Sequence, residues 1–167
     1  PARARRQLST RSWASLLDDL PRDFLDLWSK SKRPIVLAGN GIHLSKSKRE
    51  FRDFLNHHKL PYVVSYFGSD LGDDYTGKVG ILGNRSGNFA IQNADLILCL
   101  GCRLSKSITG YNRQLFAREA KIVYIDIDKS EFMDEKKVDV KVHMDLKTFF
   151  GIDLPKQDIL GSWIDKN

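Results

Sequence analysis

The residues with chemical potential fall in short polar clusters, each placed directly after an apolar run. Ile35-Val36-Leu37-Ala38 ends in Gly39-Asn40-Gly41, and Pro61-Tyr62-Val63-Val64 ends in Ser65-Tyr66-Phe67-Gly68. Val79-Gly80-Ile81 precedes Leu82-Gly83-Asn84-Arg85-Ser86. Leu96-Ile97-Leu98-Cys99-Leu100 runs into Gly101-Cys102-Arg103, and Ile122-Val123-Tyr124-Ile125 into Asp126-Ile127-Asp128. Asp145 follows the last such run. Glycines allow a backbone to approach a pyrophosphate and present N–H donors to it. Arg85 and Arg103 suit phosphate oxygens. A carboxylate at a strand end, Asp126 or Asp145, suits a ribose hydroxyl or an adenine edge. The set fits a dinucleotide, and it fits equally the polar loop ends that any doubly wound sheet carries.

Other chemistries find less support. Gly39-Asn40-Gly41 continues as Ile42-His43-Leu44, so G-x-G-x-x-G fails at its third glycine, and no P-loop lysine motif is present. Cys99 and Cys102 have C-x-x-C spacing, but Cys99 falls inside an apolar strand. A reactive cysteine instead needs a helix N-terminus or a cation to lower its pKa. Both read as structural thiols. Asp70, Asp73 and Asp74 read as a solvated loop and His43 as an exposed loop histidine. No nucleophile–base pair stands out.

The elements that must position these clusters follow from periodicity. Trp13, Leu16, Leu17, Leu20, Phe24, Leu27 and Trp28 recur at helical spacing, with Ser12 as N-cap and a break at Pro21. Strands are expected over 34–38, 61–65, 79–81, 95–100, 122–127 and 138–143. Helices are expected over 45–58 and 88–93, with a short one over 114–118 and a helical tail from 145. Several strands are solidly apolar, which argues for a parallel sheet covered on both faces. Right-handed crossovers then bring every strand's C-terminal end to one edge, where such folds bind ligands. Residues 1–11 read as a linker, 12–154 as one domain, and 155–167 as a helical tail.

Length and composition bound the rest. The chain has 167 residues with 41% hydrophobic and 29% charged residues, which suits one globular domain. The net charge is +6, but Arg3, Arg5 and Arg6 crowd one end and the other cations alternate with acids. No nucleic-acid module is expected. No apolar run approaches a membrane span and no secretory signal is visible. Two cysteines do not make a disulfide scaffold, which fits a reducing, cytoplasmic setting.

The segments "RPIVLAGNGI", "LPYVVSYFGSDL", "VGILGNRSGNFAIQNADLILCLGCRLS", "TGYNRQLFAREAKIVYIDIDKSE" and "VKVHMDLKTF" occur in that order. Together they resemble the central domain of thiamine-diphosphate-dependent enzymes, closest to the acetolactate synthase group. The resemblance implies a three-layer α/β/α Rossmann-like domain with a six-stranded parallel sheet of order 3-2-1-4-5-6. It implies a non-catalytic domain of an enzyme that decarboxylates and joins 2-keto acids. In such an enzyme, flanking pyrimidine- and diphosphate-binding domains of the same chain hold thiamine diphosphate and Mg²⁺. Their G-D-G motif has no counterpart, since Gly72-Asp73-Asp74 departs from it and no Asn-Asn follows. A homodimer or homotetramer is implied, and FAD or ADP in this domain. Carried over by position, cofactor contacts are implied at Asn40, Ser65, Tyr66, Leu82, Gly83, Asn84, Arg85, Gly101, Cys102, Arg103, Ser105, Asp126, Ile127, Asp145 and Leu146, beside Gly39 and Gly41. Departures stand out at the glycine turn, where a glycine is replaced by Asn40, a residue that tolerates a left-handed conformation but whose side chain occupies space near a pyrophosphate, and after Arg103, where Ser105, Lys106 and Ser107 replace two acids and a second arginine. A free-standing NAD-type enzyme of the same fold is the alternative, weakened by the absence of a four-cysteine zinc site.

Overall fold

The computed structural model describes residues 16–132, 138–157, 159 and 161–164. The expected linker over 1–11 and the start of the first helix at Ser12 and Trp13 lie outside them.

Six parallel strands form one sheet in the order β3-β2-β1-β4-β5-β6. β1 is Pro34–Ala38, β2 Tyr62–Val64, β3 Gly77–Lys78, β4 Leu96–Leu100, β5 Lys121–Asp126 and β6 Val140–His143. All five residues of β1 and of β4 are buried. These two apolar runs pair along their whole length, from Pro34–Leu96 to Ala38–Leu100. Both faces of the sheet are covered, which is why the central strands do not alternate. β6 does alternate, with Val140 and Val142 buried and Lys141 and His143 exposed, as suits an edge.

The helices are α1 (Arg22–Lys30), α2 (Gly41–Leu44), α3 (Lys48–His58), α4 (Arg85–Asn93), α5 (Lys106–Thr109), α6 (Leu146–Phe150) and α7 (Gly161–Ile164). Val36, Ala38, Leu98 and Leu100 point to one face, where Phe24 and Trp28 of α1, Phe51 and Phe54 of α3 and Phe149 of α6 cover them. Ile35, Leu37, Ile97 and Cys99 point to the other, against Ala90 and Ile91 of α4, Phe116 and Trp163. The chain is therefore a three-layer α/β/α domain of the expected strand order.

Two local expectations change. The helix expected over 45–58 begins later, at Lys48, because Lys46 takes φ +54° between α2 and α3. Ser45 and Ser47 join their hydroxyls there, and Ser45 Oγ also donates to Ile42 O. Such local bonds compete with helix. The third strand ends earlier than 79–81. Val79 still donates to Val64 O, but Gly80 takes φ +102° and turns the chain out of the sheet.

The C-terminal segment is tied across the domain. Trp28 Nε1 donates to Pro155 O at 2.8 Å, Trp163 Nε1 donates to Pro34 O at 2.8 Å, and Gln157 Nε2 donates to Trp28 O. Beside this strap, His58 is buried with its ring edge-on to Trp28 and against Phe54. Its Nδ1 has no hydrogen-bond partner among the described residues. Burial, and then the charge of neighbouring His57, lowers the imidazole to about 4 from its usual 6.5.

This imidazole predicts a pH window. The folded state keeps His58 neutral where the unfolded chain would protonate it, so stability falls as pH drops below 6.5 and levels off below about 4. The loss is on the order of 3 kcal/mol. Chemical denaturation of wild type and His58→Phe at pH 7, 5.5 and 4 checks it: the difference between the two should change with pH in this window. A pH-independent difference contradicts it.

Candidate functional site

The sheet reverses its winding direction between β1 and β4. At that point the loops leaving the two strands must separate to opposite sides, which opens a crevice at the strand C-termini. A cleft of about 780 Å³ lies there, within the usual range for a small-molecule site.

Its floor is set by a close backbone contact. Gly39 N–H donates to Leu100 O at 3.0 Å and Gly41 N–H donates to Gly101 O at 2.9 Å. A Cβ on Gly39 would lie 2.3 Å from Gly101 O, and one on Gly41 would lie 2.6 Å from Gly101 Cα. Gly101 itself has φ +52°. The two glycines of the first turn therefore serve the approach of β1's exit to β4's exit, and their N–H groups are consumed by it. Asn40 between them takes φ −62°, ψ −20°, an ordinary right-handed conformation, so its tolerance of a left-handed one is not called on. Asn40 and Gly41 line the cleft, and Gly39 lies beneath it.

Ser65, Tyr66, Gly101, Cys102, Arg103, Ser105, Asp126, Ile127, Asp145 and Leu146 also line the cleft. Tyr66 and its neighbour Phe67 are exposed and edge-on, with centroids 5.3 Å apart. With exposed Leu44 and Ile127 they give the cleft an apolar rim.

Leu82, Gly83, Asn84 and Arg85 stand outside the cleft wall. After Gly80 turns the chain, Ile81 N–H donates to Ser107 O at 2.8 Å, so this loop packs behind α5, whose Ser107 and Ile108 face the cleft. The Asn84 side chain is already employed. Its Oδ1 accepts from Gly87 N at 3.0 Å as the N-cap of α4, and from Lys78 N at 3.1 Å.

The acids of the site are likewise built into turns. Asp145 Oδ1 accepts from Lys147 N at 2.9 Å and caps α6. Asp126 Oδ1 accepts from Asp128 N at 2.9 Å, and Asp128 Oδ1 accepts from Ser130 N at 2.9 Å. Burial, with Glu131 and Asp128 adding to it, raises the Asp126 carboxyl above its usual range. The hydroxyl and amide of Ser130 hold Asp128 below it. Arg103 is the cation of the lining, and its Nε meets Glu131 Oε1 at 2.8 Å.

Reading the sequence alone leaves out several wall residues. Leu44, Ser107 and Ile108 arrive on one-turn helices, and Ser45 directly follows the first of these, inside segments that read as turn, loop or longer helix. Glu131 comes back to the cleft through the 3₁₀ turn Lys129–Phe132. The signal for that turn was Asp128 placed to cap it.

The glycine contact predicts that Gly41→Ala lowers the melting stability of the ligand-free chain by about 1–3 kcal/mol, the usual cost of overpacking. Asn84→Ala should cost about 1 kcal/mol through the lost cap, with no change in the cleft. Thermal denaturation without any nucleotide checks both. If Gly41→Ala melts like wild type, the turn glycine is not held by packing.

A family model for the central domain of thiamine pyrophosphate enzymes matches residues 22–151. The probable acetolactate synthase large subunit of Methanocaldococcus jannaschii is 34% identical over 125 residues, 72% of this chain and 21% of that protein. Acetolactate synthase 2, chloroplastic, of Nicotiana tabacum is 33% identical over 144 residues, 81% of this chain and 21% of the relative. 2-Hydroxyacyl-CoA lyase 1 of Dictyostelium discoideum is 30% identical over 122 residues, 72% of this chain and 20% of the relative. The chain thus spans about a fifth of the length of these curated relatives. With the strand order and the switch-point cleft in agreement, the chain belongs to the thiamine pyrophosphate enzyme central-domain family, and to its acetolactate synthase-like members.

Proposed function

We propose that this domain is the non-catalytic centre of a thiamine-diphosphate- and Mg²⁺-dependent enzyme that decarboxylates and joins 2-keto acids. We further propose that its cleft holds the diphosphate-bearing part of an adenine nucleotide, FAD or ADP. The observation that carries the nucleotide reading is the placement of Arg103, Asn40 and Asp126 around one switch-point cleft of about 780 Å³.

The residues present fit such a ligand in three ways. Arg103 offers charged donors to a diphosphate. The Asn40 amide lies between Gly39 and Gly41, whose own N–H groups are occupied, and faces the same opening. The half-buried Asp126 has one oxygen bonded to Asp128 N and a second that suits a ribose hydroxyl. Tyr66 and Phe67 present apolar faces at the rim against which a heterocycle can lie. In the acetolactate synthase group that this chain resembles, FAD undergoes no net redox change in the carboligation, so the domain's task is to bind and orient. The thiamine cofactor and the reacting keto acids fall to flanking domains of the longer polypeptide. The relatives, about five times the length of the matched segment, are named for such activity.

Two outcomes follow. These 167 residues alone, given thiamine diphosphate, Mg²⁺ and pyruvate, should form no acetolactate, because the G-D-G and Asn-Asn motif is not among them. Measurable product overturns the non-catalytic reading. Arg103→Ala should weaken ADP and FAD binding about tenfold or more, the worth of a charge-assisted hydrogen bond, while the melting curve stays in place. Calorimetric titration with each ligand checks it. Equal affinity in the two proteins, with normal melting, removes Arg103 from the site.

A further inference from the structure

Arg103 faces an awkward setting for a phosphate ligand. Its side chain is 75% exposed, and the cleft that it serves is also lined by Asp126, Asp128, Glu131 and Asp145. An exposed arginine is free to fold down onto any of these acids. Asp128 is near enough to feel its charge. A guanidinium that pairs side-on with the end of β5 presents few donors to a ligand.

Glu131 prevents this. Its side chain is only 13% exposed. One carboxylate oxygen, Oε2, accepts from the hydroxyl of Tyr124 at 3.2 Å, and Tyr124 is fully buried in β5. The other, Oε1, lies 2.8 Å from Arg103 Nε in an ion pair. The backbone is fixed as well, since Glu131 N–H donates to Asp128 O at 3.1 Å within the turn that Asp128 caps. A carboxylate held from the core therefore pairs with the arginine on the side of its inner nitrogen. The two terminal nitrogens carry four of the five N–H donors of a guanidinium, and Arg103 lines the cleft. No bond to them is found among the described residues.

We propose that Glu131 is a positioning residue, holding the Arg103 guanidinium toward the diphosphate of an adenine nucleotide in the cleft. The inference rests on the nucleotide reading of the cleft. It carries a consequence opposite in sign to simple charge balance. If Glu131 merely neutralised Arg103, its removal would strengthen the binding of an anion. If it positions Arg103, removal weakens binding, and a neutral side chain of the same shape preserves it.

The test uses the chain and its Glu131→Gln, Glu131→Ala, Arg103→Ala and Glu131→Ala/Arg103→Ala variants. ADP affinity is measured by calorimetry, and the Arg103 Nε–Hε signal by nitrogen-proton NMR without ligand. In wild type the signal should be distinct from those of the exposed arginines, because a fixed carboxylate lies beside it. In Glu131→Ala it should merge with them while ADP binding weakens about tenfold. Glu131→Gln, with its amide oxygen in the place of Oε1, should keep a distinct signal and stay within about threefold of wild type in affinity. In the Arg103→Ala background, Glu131→Ala should change nothing further. Glu131→Ala binding ADP as well as or better than wild type overturns the proposal, and so does an equal loss in the Arg103→Ala background. An Arg103 signal in wild type indistinguishable from those of the exposed arginines also overturns it. A wild-type chain with the clamped signal that takes up neither ADP nor FAD overturns the nucleotide reading instead, and the positioning role falls with that reading while the clamp remains.

Discussion

The site depends on one backbone contact, the hydrogen bond from Gly41 N–H to Gly101 O where β1 and β4 leave the sheet. β1 and β4 are paired residue for residue, and both are buried on both faces. Their exits must diverge, because α2 and α3 cover one face and the chain after β4 turns toward the other. The cleft is the space left by that divergence. Its floor stays narrow because Gly39, Gly41 and Gly101 meet with no side chain between them. A methyl group on any of the three would collide with backbone, which cannot move aside without shifting a central strand.

Above that floor, the three aspartates are fixed by backbone N–H groups rather than by one another. Asp145 holds α6, Asp128 holds the 3₁₀ turn after β5, and Asp126 holds Asp128. Each carboxylate satisfies N–H groups that a helix or turn start leaves unpaired. This arrangement places acids at the cleft without leaving them to repel one another freely. It also delivers Glu131 to Arg103, so a local turn on β5 reaches a cation on the β4 loop. The mouth of the cleft is apolar, with Tyr66, Phe67, Leu44 and Ile127 exposed. Among the described residues, no helix is long and apolar enough to cross a membrane.

Much of the scaffold was legible in the sequence, and the reasons are specific. Pro34–Ala38 and Leu96–Leu100 are solid apolar runs, which only a sheet covered on both faces accommodates. The strand order followed from the family resemblance, since parallel strands alone permit several orders. The cleft's position followed from the strand ends. What one strand at a time cannot show is how two loops meet. The glycines of the first turn read as room for a pyrophosphate, whereas the structure gives them to Gly101. Leu82, Gly83, Asn84 and Arg85 follow a strand end, but the φ of Gly80 sends them behind α5. Asn84 reads as a ligand contact and acts as a helix cap. Ile108 was not legible because a one-turn element carries almost no periodicity, and Glu131 was legible as part of a capped turn but not as a cleft residue.

The central claim is that the switch-point cleft takes an adenine diphosphate. Amide chemical-shift mapping of the chain during an ADP titration tests it most directly, because it reads location as well as affinity. The account predicts saturable shifts at Asn40, Cys102, Arg103 and Ile127, with Leu82, Gly83 and Arg85 unmoved behind α5. Shifts centred on the β3–α4 loop, or no saturable shifts at millimolar ADP, would contradict it.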